Sequence, residues 1–265
     1  MSGLSAANLI LEPSTRTRCS FEIAETRLGI EHVAAGGESS SLVKGETLVD
    51  TARTLAAMGV NVFVVRHREA GVPARMAVEL PDAHVINAGD GTNEHPTQGL
   101  LDLLILRRRW GRLEGRAVLI VGDVVHSRVA RSAYHGLRAL GAEIVFCGPP
   151  AFMPPMGELP DALRTEDLDA ALPEADAVMA LRIQRERLAD AEQTPDAEAY
   201  RRQWGLTAER IERLSPAIPV LHPGPFNRGV EIDSEVADGP RALIWPQVRA
   251  GVAVRMAVLT VLAGA

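Results

Sequence analysis

Ser14, Thr15, Arg16, Thr17 and Arg18 place three hydroxyls and two guanidiniums in five consecutive positions. Guanidiniums offer a fixed fork of donors that matches a phosphate or a carboxylate. If the run opens a helix, its free backbone N–H groups and the positive end of the helix dipole favour an anion at the same place. A well-capped helix with solvated arginines fits these residues equally. His95-Pro96-Thr97-Gln98 sets an imidazole and a primary amide three residues apart at a second helix start. An imidazole N–H there would polarise a carbonyl oxygen, and the amide would read a neighbouring amide. Taken alone, His95 reads as a plain helix cap.

Further along, Arg128 stands at a helix start and suits a carboxylate. Arg182 and Gln184 are two apart, on one side of an extended strand end, whereas Arg185 and Arg187 fall on the other with Glu186 between them. Such charge runs also read as solvated faces. Gly224 and Pro225 would expose backbone carbonyls able to accept from an amine, or form an ordinary turn. Ser40 and Lys44 lie in a polar loop, where a lysine ordinarily reads as solvated surface.

Other chemistries lack their residues. No His, Cys and carboxylate positions show metal-ligand spacing. No Ser-His-Asp or Gly-x-Ser-x-Gly arrangement is present. Gly122-Asp123-Val124-Val125-His126-Ser127 has the strand-to-helix placement of a dinucleotide loop but one glycine where the fingerprint needs three. Val124 and Val125 would obstruct a pyrophosphate. What remains is an electropositive site with one imidazole and no nucleophile, which suits positioning and charge stabilisation between two anionic substrates.

These residues need strands and helices to carry them. Apolar runs at Ala6–Leu11, Val62–Val65 and His84–Asn87 read as strands. They alternate with helical patterns at Phe21–Leu28 (ending at Gly29), Leu48–Met58 and about Ala74–Leu80. Pro96 begins a helix to about Trp110. A second series follows: strand Ala117–Asp123, helix Ser127–Leu140, strand Glu143–Cys147, a proline-marked loop around 149–155, strand Ala177–Leu181, and a strand ending at Val220–Pro225. The stretch 188–205 is polar and reads as a mobile loop. Gln247–Leu262 is an apolar helix that returns to the first unit. The expected fold is α/β: two domains, each a parallel sheet flanked by helices, with the active site in the cleft between them. The expected boundaries are 1–95 plus 250–265 for one domain and 96–249 for the other.

At 265 residues the chain can bury two sizeable cores. A net charge of −6 opposes nonspecific nucleic-acid binding. Two distant cysteines, Cys19 and Cys147, suggest neither disulfides nor a zinc knuckle. The sequence shows no signal peptide and no run of membrane-spanning length, so a cytoplasmic location is expected.

Ser14-Thr15-Arg16-Thr17-Arg18, Lys44-Gly45-Glu46-Thr47, Arg66-His67, His95-Pro96-Thr97-Gln98, Arg182-Ile183-Gln184 and His222-Pro223-Gly224-Pro225 follow one another in a known order. From about Ala6 onward the chain resembles the aspartate/ornithine transcarbamylase family, and the two downstream motifs resemble its aspartate type. The His-Cys-Leu-Pro and Asp-x-x-x-Ser-Met-Gly motifs of the ornithine type are absent.

The resemblance implies transfer of the carbamoyl group of carbamoyl phosphate to L-aspartate, with no metal or organic cofactor. It implies that Ser14, Thr15, Arg16 and Thr17 bind the phosphate and that Arg66 reaches phosphate and carbonyl. Thr17, Arg66 and His95 would polarise the carbonyl, while Gln98 and the carbonyls of Gly224 and Pro225 hold the carbamoyl NH2. Arg128 and Arg182, assisted by Gln184, would bind the aspartate carboxylates. Ser40 and Lys44 resemble residues donated by a neighbouring subunit, Lys44 acting in catalysis and aspartate binding, which implies a homotrimer. It leaves room for a regulatory chain or a dihydroorotase as partners, and implies neither nucleic acid nor membrane. Family members usually carry a helical segment before the first strand, and here the strand begins almost at once. That keeps two alternatives in play: a sister transcarbamylase with another amine acceptor, and a partner-dependent, non-catalytic subunit.

Overall fold

The computed structural model describes residues 3–33, 45–183 and 196–264. The chain divides into two compact units, Met1–Thr97 with Val248–Ala265, and Gln98–Gln247.

The first unit is built on a four-stranded parallel sheet of β1 (Ser5–Ile10), β2 (Glu31–Val33), β3 (Val62–His67) and β4 (His84–Asp90), in the order β2-β1-β3-β4. Alternation along the strands serves two faces. Ala6, Val62 and Val64 pack with Phe21 and Ala24 of α1 (Thr15–Leu28) and Leu259 of α10 (Ile244–Leu262). Ala7, Leu9, Phe63 and Val65 pack with Ala52 of α2 (Leu48–Ala57) and with Val72 and Met76 of α3 (Val72–Glu79). Both faces are covered, which is why these strands read as continuous apolar runs.

The second unit holds a five-stranded parallel sheet of β5 (Ala117–Val121), β6 (Glu143–Cys147), β7 (Ala162–Thr165), β8 (Ala177–Ala180) and β9 (Val220–Leu221), in the order β7-β6-β5-β8-β9. Helix α4 (Pro96–Trp110) lies against α5 (Arg128–Ala139) through two glycines. A Cβ at Gly99 would stand 3.0 Å from the Ser132 carbonyl oxygen, and one at Gly136 would strike the Leu103 side chain. The short helices α6 (Leu168–Ala171), α8 (Ala208–Glu212) and α9 (Ser234–Ala237) complete the unit.

Several elements differ from the sequence expectation. Of the stretch read as a loop, 188–195 lies outside the described residues, but Ala197–Trp204 is a helix, α7, capped by Asp196. Tyr200 and Trp204, one turn apart, are its buried residues, and they carry a polar helix into the core. Strand β7 was also not expected: it pairs with β6 from a region marked by prolines, and Leu163 on it is exposed. Strand β9 is only two residues long, because Pro223 and Pro225 cannot extend a ladder.

Candidate active site

In both sheets the chain reverses its direction of travel at one point. In the first unit β1 leads to β2 on one side, with β3 and β4 on the other, so the reversal falls between β1 and β3. In the second it falls between β5 and β8. Open parallel sheets bind ligands at such points, beyond the carboxyl ends of the strands. Ser14 to Thr17 follow β1, Arg66 stands at the end of β3, and Arg128 and Arg182 follow β5 and β8, whereas His95 and Gln98 come after β4 and Gly224 and Pro225 after β9.

In the first unit, Ser14 caps α1 and accepts from the Thr17 N–H at 3.3 Å, while its hydroxyl donates to Thr17 Oγ1 at 2.9 Å. No acidic residue stands in the first turn of α1, so the helix brings no carboxylate of its own to its positive end. Arg66, at the end of β3, is buried beside this turn: its Nε donates to the Glu12 carbonyl at 3.2 Å and its Nη2 lies 3.0 Å from Glu12 Oε2. The register of β3 against β4 slips between Val65 and His67, and Arg66 Nη1 reaches the Ala88 carbonyl at 3.3 Å. The irregularity thus turns a β4 carbonyl toward the guanidinium and helps aim it.

His95 and Thr97 are buried at the start of α4. Buried Asp90, at the end of β4, shapes the segment leading to them. Its carboxylate accepts from Gly71 N at 2.7 Å, Asn87 Nδ2 at 2.8 Å, Glu94 N at 3.0 Å and Asn93 Nδ2 at 3.1 Å.

In the second unit, Ser127 caps α5 and Arg128 is its first residue, buried, with no acidic residue in that turn. Arg182 and Ile183 follow β8, and Ile183 O accepts from Asn227 Nδ2 at 3.4 Å. Beyond β9, His222 Nδ1 accepts from the Gly224 N–H at 2.8 Å, and the Gly224–Pro225 peptide is cis. Gln98 is buried on the first turn of α4 and donates to Asp102 at 2.9 Å. The carboxyl ends of β5, β8 and β9 are adjacent, so Arg128, Arg182 and the 222–225 turn are gathered at one end of one sheet. Ser40, Lys44 and Gln184 lie outside the described residues.

The loop after β5 is unsuited to a pyrophosphate for a reason beyond bulk. The Val124 and Val125 N–H groups both donate to the Phe152 carbonyl at 3.0 Å, so neither is left for a phosphate. Burial pushes the Cys147 thiol up to about 12, which keeps it protonated and non-nucleophilic at neutral pH. Among the described residues, no group of three or more His, Cys, Asp or Glu is placed to hold a metal ion.

A pocket of about 380 Å³ lies elsewhere in the second unit, lined by Arg201, Arg202, Arg210 and Arg213 with acidic neighbours. Its arginines are engaged: Arg201 pairs with Asp233, Arg210 with Asp169 and Arg213 with Glu209, and Arg202 lies 3.7 Å from Glu198. We read it as an ion-pair cluster that ties α7, α8 and α6 together.

Sequence reasoning assigned no role to Glu12, which holds Arg66, to Asp90, which holds the segment before His95, or to Asp102, which accepts from Gln98 Nε2 and Gln247 Nε2. A carboxylate just before an arginine-rich turn was the visible hint for Glu12. Nothing local marks Gln247, whose partner Asp102 is distant in sequence.

Known proteins resemble the chain throughout. Residues 1–108 match the family model "Aspartate/ornithine carbamoyltransferase, carbamoyl-P binding domain", and residues 114–262 match its companion, the Asp/Orn binding domain. The aspartate carbamoyltransferase catalytic subunit of Myxococcus xanthus is 54% identical over 259 residues, covering 98% of this chain and 86% of that protein. That of Gemmatimonas aurantiaca is 53% identical over 263 residues, covering 99% and 82%. Among solved structures, aspartate transcarbamoylase from Trypanosoma cruzi in complex with carbamoyl aspartate and phosphate superposes with a TM-score of 0.85 at 32% identity, covering 98% of this chain and 84% of that one. The catalytic subunit of the M. jannaschii aspartate transcarbamoylase gives 0.83 at 35% identity, covering 98% and 85%. With both domain models matched in order and half of all residues shared with such relatives, this chain belongs to the aspartate/ornithine carbamoyltransferase family.

Proposed function

We propose that the chain transfers the carbamoyl group of carbamoyl phosphate to the amine of L-aspartate, giving N-carbamoyl-L-aspartate and phosphate. The observation that carries this reading is the N-terminus of α1, capped by Ser14 and with no acidic residue in its first turn, with Arg66 held beside it at the reversal between β1 and β3. Such an arrangement takes a phosphate. The Trypanosoma cruzi relative has been solved with carbamoyl phosphate and, separately, with N-(phosphonacetyl)-L-aspartic acid, which supports the same pair of substrates here.

In this reading residues 1–95 and 250–265 form the carbamoyl-phosphate-binding domain, and residues 96–249 form the aspartate-binding domain, which also supplies the acceptors for the carbamoyl NH2. Ser14, Thr15, Arg16 and Thr17 bind the phosphate. Thr17, Arg66 and His95 donate to the carbonyl oxygen, where negative charge grows as the carbon becomes tetrahedral. Gln98 and the carbonyls of Gly224 and Pro225 accept from the carbamoyl NH2. Arg128 and Arg182, with Gln184, clamp the two carboxylates of aspartate and so aim its amine. The amine attacks the carbonyl carbon, the C–O bond to phosphate breaks, and the departing phosphate takes the amine proton. Carbamoyl phosphate binds first and aspartate second.

Ser40 and Lys44 would enter from a neighbouring subunit, which makes the active form a homotrimer working in pyrimidine biosynthesis in the cytoplasm. Among the described residues no helix is long and apolar enough to cross a membrane.

The test is direct. The purified protein is supplied with saturating carbamoyl phosphate and aspartate, and carbamoyl aspartate is measured. Product formation that depends on both substrates is expected. No product from a folded, assembled sample overturns the reading.

A further inference from the structure

We infer that Asp102 is the positioning residue for carbamoyl recognition: one buried carboxylate orients both the side chain and the turn that accept the carbamoyl NH2. The inference rests on the function proposed above, which assigns that NH2 to Gln98 and to the Gly224 and Pro225 carbonyls.

Asp102 is 1% exposed and lies one turn after Gln98 on α4. Its Oδ1 accepts from Gln98 Nε2 at 2.9 Å and from Gln247 Nε2 at 2.7 Å. Gln247 Oε1 accepts in turn from the His222 N–H at 3.0 Å, and His222 Nδ1 accepts from the Gly224 N–H at 2.8 Å. Gln247 and His222 are 2% and 1% exposed, so water does not compete for these bonds.

The direction of every amide in this chain is dictated. A carboxylate has no proton to donate, so each glutamine must turn its NH2 toward Asp102. Gln247 is then left with its oxygen facing His222, whose backbone offers a donor. Gln98 is left with its oxygen directed away from Asp102, as an acceptor for an N–H. An amide otherwise flips between two nearly equivalent orientations, and the charge on Asp102 favours one of them. The same carboxylate, through Gln247 and His222, ties down the start of the 222–225 turn.

The consequence is selectivity. Carbamoyl phosphate has an NH2 where acetyl phosphate has a CH3, and the two are otherwise nearly the same size. A site whose acceptors are locked in place prefers the ligand that donates, because a methyl group leaves them unpaired.

The experiment compares Asp102→Leu and Asp102→Asn with the parent in the assembled protein. Dissociation constants for carbamoyl phosphate and acetyl phosphate are measured by calorimetry, with steady-state turnover alongside. The parent is expected to prefer carbamoyl phosphate. Asp102→Leu removes the acceptor, so the preference falls by about tenfold or more, the equivalent of one lost charge-assisted bond. Affinity for acetyl phosphate stays within about threefold, since its phosphate contacts are untouched. Asp102→Asn keeps one oxygen and falls in between. If Asp102→Leu does not fold, the isosteric Asp102→Asn decides alone. Equal loss of both ligands, as from general loosening, overturns the inference, and so does an unchanged preference or a parent with none. The proposed function fails separately, on a parent that makes no carbamoyl aspartate.

Discussion

Arg66 Nη2 lies 3.0 Å from Glu12 Oε2, with the two side chains only 9% and 20% exposed. The Arg66 Nε also donates to the Glu12 backbone carbonyl. A long side chain that would otherwise sample many rotamers is thereby held ready beside the α1 turn, and the ordering occurs on folding rather than on binding. The carboxylate and the carbonyl align the guanidinium through different nitrogens, which requires the planar fork of arginine.

Lysine in that place offers one point charge and cannot make both contacts. Arg66→Lys is therefore expected to fold normally yet lose about 10²-fold or more in kcat, the usual cost of one donor to a developing oxyanion. Steady-state kinetics with melting curves on the same sample check this. A variant within a few-fold of the parent would remove Arg66 from the reaction.

His95 is buried at the start of α4, on the segment that Asp90 shapes. If its N–H serves the carbonyl oxygen, His95→Ala should lower kcat by about 10²–10⁴-fold while the KM for aspartate moves little. A matching rise in that KM would mean that His95 acts in binding instead.

Glu25 sits inside the first unit, hydrogen-bonded to Asn8 Nδ2 at 3.0 Å and 3.1 Å from His32 Nδ1. Burial raises its carboxyl above the ordinary 4.5, and its contacts with His32 and Asn8 offset only part of the effect. The folded state therefore holds this proton more tightly than the unfolded state. Its contribution to stability is fully present below 4.5 and is lost as pH rises through the higher folded value. Glu25→Gln keeps an acceptor for Asn8 and has no proton to lose. Denaturant titrations from pH 4 to 7 should show the variant lacking this decline and matching or exceeding the parent at pH 7. A variant that declines in parallel with the parent would refute the assignment.

Gly122 has φ +126°, and a Cβ there would stand 3.2 Å from the Leu181 carbonyl oxygen, Leu181 Cβ and Tyr200 Oη. Gly122→Ala combines an unfavourable backbone region with a collision between β5 and the end of β8. A loss of about 1–3 kcal/mol is expected in denaturant unfolding. Arg128 and Arg182 follow these two strands, so the KM for aspartate should rise with it. An unchanged midpoint would show that the backbone relaxes freely there.

The sequence by itself determined the local machinery. Apolar runs set the central strands, and Gly29, Pro96 and Ser127 marked where helices stop and start. The Ser14–Arg18 and His95–Gln98 motifs offered an anion site and a polarising imidazole, each beside a plain helix-cap reading, because hydroxyls, guanidiniums and helix N-termini act over a few residues of chain. Tertiary structure decided what depends on distant partners. Helix α7 looked like a polar loop because only Tyr200 and Trp204 reach the core, and strand β7 exists because β6 offers it a ladder. Val124 and Val125 are closed to a phosphate by the Phe152 carbonyl, and Asp102 gains its meaning from Gln247, 145 residues away. A hydrogen bond has no periodicity, so no spacing along the chain announces it; only the fold brings donor and acceptor together.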